Sequence, residues 1–111
     1  MTTRQWAAAA TFATLAASLP LGASAQGSGT PEALYVRSLA ATCANCHGTN
    51  GVTVAGSAVT SLAGLDKGYI AAQMNAFKTG TRPATVMHQI SKGYSDAQID
   101  IIAGYFAVQK K

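Results

Sequence analysis

Five consecutive residues, Cys43-Ala44-Asn45-Cys46-His47, constrain this chain more than any other feature. Two thiols separated by two residues, with a histidine directly after the second, form the arrangement that attaches a c-type haem. The spacing has a physical basis: one helical turn sets the two sulfurs so that each can add to one vinyl group. The histidine that follows is then aimed at the iron from the same face. Two other readings compete. A redox disulfide belongs to βαβ patterns, which this sequence lacks. A structural zinc takes four ligands, and the only other histidine is His88, with no second cysteine pair.

Ahead of the motif, residues 1–5 carry one cation, Arg4, followed by a charge-free stretch, 6–25, dominated by alanine with Phe12, Leu15, Leu19 and Leu21. Pro20 and Gly22 break a helix near its end, and Ala23-Ser24-Ala25 supplies the small-residue pattern that signal peptidase accepts. Residues 1–25 are therefore expected to be a secretory signal peptide, cleaved after Ala25, which delivers residues 26–111 to the periplasm. An uncleaved anchor is the alternative, because the apolar stretch approaches the ~20 residues that cross a bilayer.

Of the 111 residues, 86 remain after that cleavage, which is one domain at most. At this size a hydrophobic core alone gives thin stability, and a bound cofactor adds burial that the chain cannot supply. Apolar residues make up 49% of the chain, which excludes disorder. Without Arg4 the net charge is +3, with no clustered basic face, so a nucleic-acid partner is not indicated.

The pattern after the leader is all-α. Thr30-Pro31-Glu32 reads as an N-cap, a proline at the first helical position and an acid suited to the helix dipole, opening a helix over 31–42. Leu34, Tyr35, Leu39 and Ala40 are expected on its buried face. Residues 48–64 show no sustained period and read as a wrapped loop of the kind that is functional or held by something. Asp66 caps a helix to about Lys78, with Leu65 and Ile70 as a hydrophobic staple, Ile70, Met74 and Phe77 as its buried stripe, and Gly80 past its end. A rigid segment over 81–86 leads to a helical turn over 88–92. Ser95 and Gln98 form a capping box for the last helix, which is expected to reach Gln109 and to bury Ile99, Ile102, Ala103 and Phe106. Gly104 would let another helix approach closely.

For the second axial position the chain offers Met74, Met87 and His88. Met74 falls in a helical stripe and reads as packing. Met87 lies in a polar, proline-stiffened segment, where a loop-presented ligand belongs, and is the expected ligand. Ligation by histidine and methionine raises the reduction potential. His88, adjacent to Met87, is expected to point away as a surface residue. Arg82 could neutralise a haem propionate or be solvated. Tyr69, Tyr94 and Tyr105 are expected as half-buried rings. Lys78, Arg82 and Lys92 bracket the Met87 segment and could make its edge weakly cationic.

These residues together resemble a class I cytochrome c of the small bacterial type. The resemblance spans the chain after the leader: Cys43-Ala44-Asn45-Cys46-His47-Gly48, Ser61-Leu62-Ala63-Gly64, Ala76-Phe77-Lys78-Thr79-Gly80 and Gly104-Tyr105-Phe106-Ala107. More closely, Arg82-Pro83-Ala84-Thr85-Val86-Met87 with Ile90-Ser91-Lys92-Gly93-Tyr94-Ser95-Asp96 is similar to the haem subunit of flavocytochrome c sulfide dehydrogenase. Halves of cytochrome c4 share much of the pattern. The resemblance implies one haem c attached at Cys43 and Cys46, axial ligation by His47 and Met87, and first and last helices crossing near Leu39 and Gly104. It implies an electron-transfer protein, not itself an enzyme, with an FAD-containing flavoprotein partner that oxidises sulfide. The alternatives are a free-standing electron shuttle and a haem enzyme with an open distal site. Relatives often carry a proline before the Ser-Leu-Ala-Gly turn, where this chain has Thr60, so the carbonyl that orients the His47 ring is unassigned from sequence.

Overall fold

The capping box expected before the last helix is formed: Ser95 Oγ accepts from the Gln98 amide at 3.2 Å, and the Gln98 side chain accepts from the Ser95 amide at 2.9 Å. This computed structural model describes residues 29–111, and the expected leader, residues 1–25, lies outside them. Five helices follow in order: α1 (Pro31–Ala41), α2 (Ala44–His47), α3 (Lys67–Thr79), α4 (Met87–Lys92) and α5 (Asp96–Ala107), with a 3-10 turn at Thr49–Gly51. No strand occurs among the described residues. No helix there is long and apolar enough to cross a membrane.

Helix α3 packs against α4 and α5, and α1 packs against α5. Caps set the ends. Thr30 accepts from the Ala33 amide before α1, and Asp66 from the Tyr69 amide before α3. Gly80, at φ 81°, closes α3 in the left-handed conformation that a side chain would oppose. Ile70, Met74, Ile99, Ile102, Ala103 and Phe106 form the core with Ala40. The expected buried residues of the last helix are all found there.

Several expectations need correction. Leu34 and Tyr35 face outward, 56% and 47% exposed, because on α1 it is Ala40, with Leu39 beside it, that packs into the core. Tyr35 instead accepts a hydrogen bond from Gln98 through its hydroxyl. Helix α5 ends at Ala107, two residues before the expected Gln109. Helix α4 begins at Met87, one residue before the expected start. Gly104 does not mark a close helix approach: a Cβ there would meet only the Lys67 side chain, at 3.7 Å. The small residues buried where α1 and α5 share the core are Ala40 and Ala103.

The loop over 48–64 is held by its backbone. The Gly51 carbonyl accepts from the Leu62 amide at 2.8 Å, the Ala63 amide at 3.1 Å and Ser61 Oγ at 2.7 Å, drawing the loop closed on itself. The Gly64 amide then donates to the Phe106 carbonyl at 2.9 Å, fixing the end of the loop to α5. Asn50, at φ 54°, turns the chain and accepts from the Tyr105 hydroxyl at 2.6 Å. Asparagine tolerates this conformation better than most residues.

Candidate functional site

The thiols begin where α1 ends. Thr42 caps α1, and Cys43 is the N-cap of the short turn α2, so Cys43 and Cys46 lie one turn apart with His47 closing it. The next residue, Gly48, has φ 78°, and a Cβ there would come within 1.9 Å of the Val52 carbonyl oxygen. Only glycine lets the loop turn back immediately behind the histidine. Both cysteines are free thiols.

Cys43, Cys46, His47 and Met87 all line one cavity of about 340 Å³. That lies within the ordinary range for a ligand pocket, roughly 300–1,000 Å³. Its wall is mostly apolar, with Leu62, Leu65, Ile70, Met74 and Phe77 contributing from the loop end and α3. The motif stands at one part of the wall and the start of α4 at another. His88, although adjacent to Met87, does not line the cavity. It is half-buried, not on the surface, and its Nδ1 is buried without a partner among the described residues.

His47 Nδ1 lies 2.7 Å from the Thr60 carbonyl oxygen. A carbonyl only accepts, so Nδ1 carries the proton and Nε2 keeps its lone pair. The orienting carbonyl left open by the sequence is thus that of Thr60, reached by the backbone irrespective of the side chain at that position. Burial pushes the Cys43 thiol pKa up, the Thr42 hydroxyl beside it pulls it down, and the neighbouring Cys46 again raises it.

The donor set suits a c-type haem. Two free thiols, a histidine with one free ring nitrogen and a thioether share a largely apolar cavity, and the imidazole already has the outer hydrogen bond that metal-bound histidines require. No cluster of three or more histidine, cysteine, aspartate or glutamate residues suited to a metal occurs among the described residues, so nothing there completes a zinc site.

Arg82 also lines the cavity. Its guanidinium lies over the Phe77 ring, 4.6 Å from the centroid, and donates to Gln73 Oε1. Lys78 departs from the expected cationic edge: its ammonium donates to the Tyr94 carbonyl at 2.8 Å and pairs with Asp96 at 2.7 Å. Two contacts were illegible in the sequence. Tyr94 Oη lies 2.5 Å from Thr42 Oγ1, tying the end of the α4 segment to the residue before Cys43. Ser91 Oγ donates to Met74 Sδ at 3.5 Å. Neither has a sequence signal, since partners 52 and 17 residues apart meet only through the packing of α4.

Among proteins with assigned names, the chain is 41% identical over 68 residues to the cytochrome subunit of sulfide dehydrogenase from Chlorobaculum tepidum, covering 61% of this chain and 60% of that protein. It is 34% identical over 92 residues to cytochrome c4 of Pseudomonas aeruginosa, covering 83% of this chain and 45% of that protein. A thiosulfate dehydrogenase electron acceptor of Stutzerimonas stutzeri is 33% identical over 78 residues, 70% of this chain and 33% of that protein. The chain thus spans between about a quarter and three fifths of the length of the relatives it matches. No family model matches it.

Proposed function

The chain belongs to the class I cytochromes c, and from that premise we propose that residues 26–111 form an exported, periplasmic monohaem cytochrome that passes single electrons, accepting them from an FAD-containing flavoprotein that oxidises sulfide. The observation that carries this reading is the joint lining of one cavity by Cys43, Cys46, His47 and Met87. A haem c bound there supplies an iron that cycles between two oxidation states. Cys43 and Cys46 would hold the group through thioether bonds to its two vinyl positions, anchoring it at the turn of α2. His47 offers Nε2 to the iron, in the tautomer set by the Thr60 carbonyl. Met87 offers its thioether from the first residue of α4 and so raises the potential. Leu62, Leu65, Ile70 and Phe77 give the site an apolar wall, and Arg82 places a cation at that wall where carboxylates of the group could meet it.

The sulfide-oxidising partner is supported by the likeness to the sulfide dehydrogenase subunit. The likeness to thiosulfate dehydrogenase electron acceptors favours a second reading, a free-standing shuttle that serves another dehydrogenase. The test is to export the full chain in a host that matures c-type cytochromes and to record its pyridine haemochrome spectrum. The expected spectrum is that of a haem with both vinyl groups saturated, and Met87→Ala should lose the thioether-to-iron charge-transfer band. A protein without haem would sink the reading. Co-purification with a flavin-binding chain separates the sulfide dehydrogenase subunit from the shuttle.

A further inference from the structure

Met74 and Met87 both line the cavity, so its wall presents two thioethers where one axial position is to be filled. They differ in their surroundings. The Met74 sulfur accepts the Ser91 hydroxyl at 3.5 Å, whereas no hydrogen bond reaches the Met87 sulfur among the described residues. Ser91 is 0% exposed and is the one polar residue buried in the described part of the molecule. Its hydroxyl finds no acceptor there besides Met74 Sδ. A buried hydroxyl without a partner is costly, so this contact is held whenever α4 is packed on α3. Ser91 lies four residues after Met87 on the same helix, so α4 carries both the ligand and a clamp on its competitor.

We propose that Ser91 is a positioning residue that decides which methionine serves the iron: its hydroxyl engages one lone pair of the Met74 thioether and pins that side chain, leaving Met87 as the free sulfur. The inference rests on the reading of Met87 as the ligand. It goes beyond that reading, because it says why a second methionine in the same cavity does not take the position.

The test uses the full chain with its haem attached. Its readouts are the thioether-to-iron charge-transfer band of the oxidised protein and the strongly shielded methionine methyl resonance of the reduced protein. Met87→Ala is expected to abolish both. Adding Ser91→Ala should restore both through Met74, and further adding Met74→Leu should remove them again. Ser91→Thr keeps a hydroxyl and, combined with Met87→Ala, should restore neither. A folded Met87→Ala, Ser91→Ala protein without a thioether signature would overturn the proposal. So would a signature in Met87→Ala alone that Met74→Leu abolishes, since Met74 would then bind despite Ser91. Ser91→Gly serves as a second way of removing the hydroxyl. If neither replacement allows folding by circular dichroism, Ser91 holds the packing of α4 and not the choice of ligand, and the proposal falls. Failure of the underlying reading looks different: Met74→Leu, and not Met87→Ala, would then abolish the signature in the otherwise unchanged protein.

Discussion

The Nδ1 of His47 and the carbonyl oxygen of Thr60, 2.7 Å apart, join the motif turn to the far end of the loop that follows it. Because the acceptor is a backbone carbonyl, the threonine side chain is dispensable. Thr60→Ala should therefore shift stability by no more than about 0.5 kcal/mol, the usual limit for an exposed site, and leave the haem spectrum unchanged. Thr60→Gly loosens the backbone that presents the carbonyl and should cost about 0.4–1 kcal/mol. Thermal unfolding of the two haem-loaded variants checks this, and a large loss in Thr60→Ala would mean that the hydroxyl, and not the carbonyl, holds the ring.

Folding should depend on the haem. The buried apolar residues of the described chain include three alanines, while Val59, Tyr69, Val86 and Ile90 are exposed at the cavity wall. A core this small gives little stability by itself. Replacing Cys43 and Cys46 together by alanine should leave a chain without a cooperative thermal transition. A sharp transition followed by circular dichroism in that variant would refute the dependence.

Lys78 and Lys92 should behave differently, although both were read from the sequence as flanking the Met87 segment. Lys78 joins α3 to the Tyr94 carbonyl and to Asp96 at the start of α5, whereas Lys92 is exposed with no ion-pair partner among the described residues. Lys78→Ala takes a charged donor from a partly buried carbonyl and should cost about 1–3 kcal/mol. Lys92→Ala should change stability by less than about 0.5 kcal/mol and act only through surface charge. Chemical denaturation of the two variants distinguishes the roles, and equal midpoints would return Lys78 to the surface.

What the sequence made legible was whatever depends on near neighbours. The caps at Thr30, Asp66 and Ser95 each act over three residues, and the stripe of Ile99, Ile102, Ala103 and Phe106 follows from helical period alone. Cys43, Cys46 and His47 belong to one contiguous motif, so their common place on the cavity wall was legible too, whereas helical period alone did not show that Met74 and Met87 would both reach that wall. Contacts set by packing were out of reach. Nothing local says that Leu34 and Tyr35 turn outward, since apolar spacing defines a face but not whether a neighbour covers all of it. Lys78 looked like a surface cation because its partners lie 16 and 18 residues on, across the α4 segment. Ser91 carried no signal, because a serine in a short polar helix reads as solvated until α4 docks on α3.

Glycines provide the last contrast, between Gly104 and Gly51. Gly104 lies inside α5, and a Cβ added there would meet only the methylene carbons of Lys67, at 3.7 and 3.9 Å, an ordinary contact with a flexible side chain. Glycine in a helix interior is less favourable than alanine by about 0.8–1.0 kcal/mol. Gly104→Ala should therefore raise stability by about that amount, the opposite of what a close helix crossing at this residue would require. Gly51 is buried with φ at 80°, and a Cβ there would come within 2.7 Å of the Phe106 ring and 3.0 Å of the Ala63 amide nitrogen. The backbone conformation and the overpacking both oppose a side chain, so Gly51→Ala should cost at least about 2 kcal/mol. It should also disturb the Gly51 carbonyl, on which the loop over 48–64 closes. Thermal unfolding of the two haem-loaded variants, compared with the parent, reads both signs. A loss of stability in Gly104→Ala would restore the close approach of another element to α5.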